Sequence, residues 1–141
     1  MGRIRKLLLV EPNTQMRAMI KHSLRSRGIE SESILEASTF SSGSKILSEA
    51  KGNRIAPDLI LCDCGWNGES FLSGDLIREA QDLEGELKKQ IHVVLLMSLP
   101  TQENVRKAMS FGVNNILIRP FTTEMLNKVI DEVIQSKILA N

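Results

Sequence analysis

Four side chains of this 141-residue chain are suited to chemistry and share one kind of address. Glu11, Asp63, Ser98 and Arg119 each stand directly after a short apolar run. Two carboxylates offer the hard oxygen ligands that a divalent cation such as Mg2+ takes. A cation beside a carboxylate, with a basic side chain at hand, is a layout for phosphoryl transfer onto that carboxylate. The same residues also admit a plain reading, in which Glu11 and Asp63 cap helices and Arg119 is a surface charge. Residue types alone leave these two readings in balance.

The elements that must position these residues are written in the hydrophobic pattern. Residues 7–10, 59–62, 93–97 and 116–118 are continuous apolar runs of strand length, and 33–37 is a weaker fifth. Such runs read as parallel strands covered on both faces. Helical spacing fills the gaps. Met16, Met19, Ile20 and Leu24 share a face before a stop at Gly28; Ile46, Leu47 and Ala50 share another, closing near Gly52. Leu76, Ile77, Ala80 and Leu83 mark a third helix. Val105, Ala108 and Met109 mark a fourth, with Thr101 as N-cap and Gly112 beyond its end. Met125, Leu126, Val129, Ile130, Val133 and Ile134 form the broadest stripe, capped by Thr122 or Thr123. The order is βαβαβαβαβα, a single α/β domain over 1–141 with a parallel sheet and helices on both faces. In such sheets function sits at the carboxyl ends of the strands, which is where all four residues fall.

Composition narrows the function classes. Apolar residues make up 42%, charged residues 25%, and the formal net charge is +1. That is the balance of a soluble globular protein, with no electrostatic case for nucleic acid or a membrane surface. The apolar runs are too short to span a bilayer. The basic stretch 1–6 leads to only a few apolar residues before Glu11, which is not a secretory signal. A cytoplasmic location is expected, and Cys62 and Cys64, on either side of Asp63, read as unlinked thiols. His22 and His92 read as packing or surface residues. An enzyme binding a nucleotide or flavin on a similar sheet is the third possibility; no Gly-x-Gly-x-x-Gly follows the first run, where Glu11-Pro12-Asn13 stands instead, which argues against a dinucleotide enzyme.

Three segments carry a family likeness. Leu-Leu-Leu-Val-Glu-Pro-Asn-Thr-Gln-Met-Arg (7–17), Pro-Asp-Leu-Ile-Leu-Cys-Asp (57–63) and Gly-Val-Asn-Asn-Ile-Leu-Ile-Arg-Pro-Phe (112–121) stand in order and at nearly regular spacing. The chain resembles, over essentially its whole length, the CheY-like receiver domain of bacterial response regulators. The resemblance implies a flavodoxin-like (βα)5 three-layer sandwich with a five-stranded parallel sheet of order 2-1-3-4-5. It implies a two-component phosphorelay role, with Asp63 as phosphoacceptor and self-directed phosphorylation and slow dephosphorylation in place of true enzyme activity. Glu11, Asp63 and the backbone carbonyl of Gly65 match the metal ligands. Ser98, or Met97 one residue earlier, matches the phosphoryl-binding Ser/Thr; Arg119 stands at the lysine and Ile116 at the switch aromatic. Pro120 is expected to follow a cis peptide bond.

Four departures shape the expectations. Pro12 replaces the second acid, so Mg2+ binding should be weakened. Arg119 puts a planar guanidinium where a compact ammonium is usual. Ile116 has no polar tip. The loop after Asp63 is about three residues longer than usual and carries Trp66, either as a partner contact or as a lid folded over its own pocket. A degenerate pseudo-receiver, acting as a phosphorylation-independent interaction module, is therefore the alternative function. Expected partners are a sensor histidine kinase or phosphotransfer protein and a downstream protein target, with a homodimer left open. Docking is expected on the face of the fourth helix, fifth strand and fifth helix. The outer members of the last stripe either reach that surface or pack beneath neighbours. No output domain is expected within the chain.

Overall fold

The computed structural model describes residues 3–140; Met1 and Gly2, at the start of the basic stretch, and Asn141 lie outside the described residues. The apolar runs form five parallel strands: β1 (Leu7–Val10), β2 (Ile34–Ala37), β3 (Leu59–Asp63), β4 (His92–Met97) and β5 (Asn115–Ile118). Their order in the sheet is β2-β1-β3-β4-β5, so the chain steps outward to one edge, returns to the centre and continues to the other edge. Five helices make the crossovers: α1 (Thr14–Ser26), α2 (Phe40–Asn53), α3 (Gly74–Leu87), α4 (Gln102–Ser110) and α5 (Thr123–Ala140).

Strand alternation builds two cores from one sheet. Leu8, Val10, Ile60, Cys62, Leu95 and Met97 face one side, where Leu47 of α2, the Leu76/Ile77/Ala80/Leu83 stripe of α3 and Ala108 of α4 cover them. Leu7, Leu9, Leu59, Leu61, Val94, Leu96 and Leu117 face the other side, beneath Ile20 and Leu24 of α1 and Leu126, Val129, Ile130 and Val133 of α5. A leucine fully withdrawn from water stabilises the fold by about 1.5–3 kcal/mol. Central strands buried on both faces therefore supply most of the drive to fold. α2 packs closely on α3 and β1 because Gly43 has no side chain; a Cβ there would fall 2.7 Å from Leu76 Cδ1 and 3.1 Å from Val10 Cγ2.

The helix signals hold with local corrections. Thr101 Oγ1 accepts from Asn104 N–H at 3.1 Å, and Thr122, not Thr123, caps α5 by accepting from Met125 N–H at 3.1 Å. α2 closes near Gly52 as expected, running to Asn53, and Arg54 takes the left-handed turn with φ 57°. Met19, Met109 and Met125 belong to the apolar stripes yet are exposed. On α5 both members of the 129–130 pair and Val133 are buried, and Ile134 packs on the same core. The breadth of that stripe is thus used by the fold, and Met125 is its exposed apolar member.

Candidate functional site

Glu11, Asp63 and Arg119 meet at the carboxyl edge of the sheet. Register explains the first two: Val10 pairs with Cys62, so the next residues, Glu11 and Asp63, emerge side by side. Val10 and Cys62 both face the α2–α3–α4 core, so alternation turns Glu11 and Asp63 toward the α1–α5 side. Arg119 starts further along: Asp63 is in register with Leu96 and Leu96 with Leu117, two residues before Arg119. Its long side chain spans that offset. Arg119 Nη2 donates to Asp63 Oδ1 at 3.0 Å and also to Glu11 Oε1. One guanidinium therefore bridges two carboxylates.

The burial of the three differs. Glu11 is 2% exposed, and an ionised carboxylate withdrawn that far requires partners. It has them: Arg119 on Oε1 and the Asn13 N–H on Oε2 at 2.9 Å. Asp63 keeps a 21% exposed side chain, with Oδ2 accepting from Gly65 N–H at 3.1 Å. Both carboxylates and Arg119 line an open cleft of ≈440 Å3, walled further by Asn13, Gln15, Met16 and Met19.

α1 holds the Glu11 end of the site. Asn13 caps the helix, accepting from Met16 N–H at 2.8 Å while its own N–H holds Glu11. Arg17, one turn on, donates from Nη1 to the Glu11 carbonyl at 2.8 Å. The sequence reading assigned no role to Asn13 or Arg17, although an Asn at the head of a helical pattern is a legible cap signal.

The β3–α3 loop frames the other side. Cys64 N–H donates to the Leu96 carbonyl at 3.0 Å, and Ser73 Oγ donates to the Cys64 carbonyl at 2.8 Å. Gly65 is held at φ 67°, and a Cβ there would lie 2.5 Å from Phe40 Cζ, so only glycine fits without displacement. The Gly65 carbonyl accepts from Leu72 N–H at 3.0 Å. Trp66 is half-buried: its ring lies 5.0 Å from Phe71, with Lys107 Nζ 5.6 Å above it. The ring packs back on its own loop but is not among the residues lining the cleft, so the expected lid over the pocket is not what is observed.

Pro12 is exposed beside Glu11, and Ser98 is exposed directly after β4. Met97, the other reading for the hydroxyl position, is buried in the core. Ile116 is half-buried against the α2–α3–α4 core. The Arg119–Pro120 bond is cis, as expected. Cys62 and Cys64 are buried free thiols; burial pushes both upward in pKa, and the Asp63 charge adds to the shift. Buried neutral thiols are poor nucleophiles. Among the described residues, no group of three or more His, Cys, Asp or Glu is placed to hold a metal ion.

No family model matches the chain. Individual proteins do. The chain is 27% identical over 129 residues to chemotaxis protein CheY1 of Helicobacter pylori, covering 92% of this chain and 96% of that protein. A response regulator receiver domain from Clostridium thermocellum superimposes with a TM-score of 0.74 at 26% identity, covering 96% of this chain and 98% of that one. The receiver domain of a sensor histidine kinase from Pseudomonas aeruginosa, with a magnesium ion coordinated in its active-site cleft, has a TM-score of 0.72 at 21% identity, covering 93% and 98%. Near-full-length likeness in sequence and structure, joined to the strand order 2-1-3-4-5, makes this chain similar to CheY-like response regulator receiver domains and gives it their fold.

Proposed function

We propose that the chain accepts a phosphoryl group on Asp63 from a sensor histidine kinase or phosphotransfer protein and passes the signal on through a protein-interaction face. The observation that supports this best is the state of Asp63: a carboxylate at the end of the central strand, accessible from an open cleft and held by one side-chain cation. Asp63 Oδ1 attacks the phosphorus of a phosphohistidine, the P–N bond breaks, and its electron pair returns to the imidazole, which takes up a proton from water. The product is an acyl phosphate on Asp63. Arg119 then donates to the phosphoryl oxygens, and Glu11 holds Arg119 in place. Ser98, exposed at the end of the neighbouring strand, supplies a hydroxyl at the same edge. Catalysis of this kind is self-directed; slow hydrolysis of the acyl phosphate by water resets the site.

Incubation with a small phosphodonor followed by intact-mass measurement tests the reading. One added phosphoryl group on the wild type and none on Asp63→Asn is the expected result. Labelling that survives the substitution sinks the assignment.

A magnesium ion is coordinated in the Pseudomonas receiver's cleft. Here the matching donors do not suit one: Pro12 brings no carboxylate, and the Arg119 guanidinium already bridges Glu11 Oε1 and Asp63 Oδ1. The pseudo-receiver reading draws on the same observation, and absence of any labelling favours it. For the output side, Met109 on α4 and Met125 on α5 are exposed apolar side chains on the face proposed for a downstream partner or a second copy of the chain. Among the described residues, no helix is long and apolar enough to cross a membrane.

A further inference from the structure

We infer that the Arg119 guanidinium, bridging Glu11 and Asp63, is the resident cation of this cleft and takes over the charge role of a divalent metal ion, so that Asp63 is phosphorylated without metal. The second half of this statement rests on the phosphoacceptor reading; the first half stands on the geometry.

The oxygen inventory carries the argument. A receiver metal ion draws on two acidic side chains, the acceptor aspartate and a loop carbonyl. Here one of those acids is Pro12. The remaining set is Glu11, Asp63 and the Gly65 carbonyl. Glu11 Oε2 accepts from Asn13 N–H at 2.9 Å, Asp63 Oδ2 from Gly65 N–H at 3.1 Å, and the Gly65 carbonyl from Leu72 N–H at 3.0 Å. The two oxygens left, Glu11 Oε1 and Asp63 Oδ1, both point at Arg119 Nη2. That nitrogen carries two N–H bonds in the guanidinium plane, one for each carboxylate. It occupies the point between the acids where a bridging cation would sit.

Charge leads to the same conclusion. Glu11 and Asp63 bring two formal negative charges against one positive charge on Arg119, leaving one in excess. Loss of the acid at position 12 thus removes part of the demand for a divalent ion. A guanidinium does not deprotonate in a protein, so it cannot yield its place by losing a proton. Mg2+ also requires near-octahedral oxygen geometry at roughly 2.1 Å and dehydrates reluctantly. To enter, it would have to displace a cation that the nearly buried Glu11 needs as its partner.

Two measurements test this on the intact chain. The first is binding of Mn2+, followed by the paramagnetic signal of the free ion, to the wild type and to Arg119→Met. The wild type should bind none at millimolar ion, and Arg119→Met should gain affinity by about tenfold or more. Wild-type binding below the millimolar range overturns the inference, as does equal binding by the two proteins. Should circular dichroism show Arg119→Met unfolded, Arg119→Lys takes its place, because an ammonium that bridges the acids less well should also admit the ion. The second measurement is phosphodonor labelling in EDTA and in Mg2+. Labelling in EDTA at a rate within about twofold of that in Mg2+ supports metal-free transfer. Labelling that requires Mg2+ overturns it while leaving the Asp63 assignment standing. No labelling in either condition removes the phosphoacceptor reading and metal-free transfer with it, and the Mn2+ result then decides the resident-cation assignment alone.

Discussion

Strand β3 is flanked by a carboxylate at each end, and the two are held in different ways. Asp58, directly before the strand, is 6% exposed. Its Oδ2 accepts from the backbone N–H groups of Arg5 at 2.7 Å and Lys6 at 3.1 Å, and Lys89 Nζ lies 3.3 Å from Oδ1. Its own N–H and carbonyl bond to Lys6 and His92, tying the β1, β3 and β4 beginnings together. Asp63, at the other end, is held by one backbone amide and one flexible side chain, and it faces a cleft. A carboxylate fixed largely by backbone cannot change partners without unfolding its surroundings. One fixed by a side-chain cation can exchange that partner for a ligand. The strand thus separates a structural acid from a reactive one by five residues.

Substitution at the two ends should separate stability from chemistry. Asp58→Ala leaves two backbone amides without their acceptor and Lys89 without its counter-charge, and should lower unfolding free energy by about 2–4 kcal/mol in a urea titration. A loss under about 1 kcal/mol would erase the contrast. Asp63→Asn should abolish phosphodonor labelling yet change stability by no more than about 1 kcal/mol, since the ion pair it removes is partly exposed and screened. Pro12→Asp should make the reactive end more receptive to cations, raising Mg2+ affinity by about tenfold in calorimetry. An unchanged affinity would mean that the guanidinium excludes the ion whatever acids surround it. The smallest effect concerns Cys62, between the two acids. Burial holds its thiol above the ordinary 9.0. The stability gained from keeping it neutral is complete below the unfolded thiol's pKa and is lost as pH rises above it. Wild type should therefore lose stability above about pH 9 more steeply than Cys62→Ala.

The sheet was legible because a strand buried on both faces leaves a continuous apolar run, and all five strands fall on or within a residue of the runs in the sequence. Helix faces were less so. Periodicity marks a stripe but cannot say which of two adjacent apolar residues meets the core, so Met19, Met109 and Met125 fell outside it. The end of α2 was legible to within a residue, though Arg54 and not a glycine takes the left-handed turn there. At the site, the residue types at the strand ends were readable; their pairing was not. That Arg119 meets both acids depends on a two-residue register offset and on side-chain length, which only the assembled sheet supplies. Asp58 stayed without a role because an acid before a strand looks the same in sequence whether it is solvated or clasped by amides.

The folded-back loop after β3 has an optical consequence. The chain has one tryptophan and no tyrosine. Its near-ultraviolet emission therefore comes from a single chromophore, wedged between Phe71 of the loop and the Lys107 ammonium of α4. A positive charge over an indole shifts its emission, and withdrawing that charge shifts it back. Any event in the cleft that slides the loop against α4 is thus reported by a change of colour, with no label added.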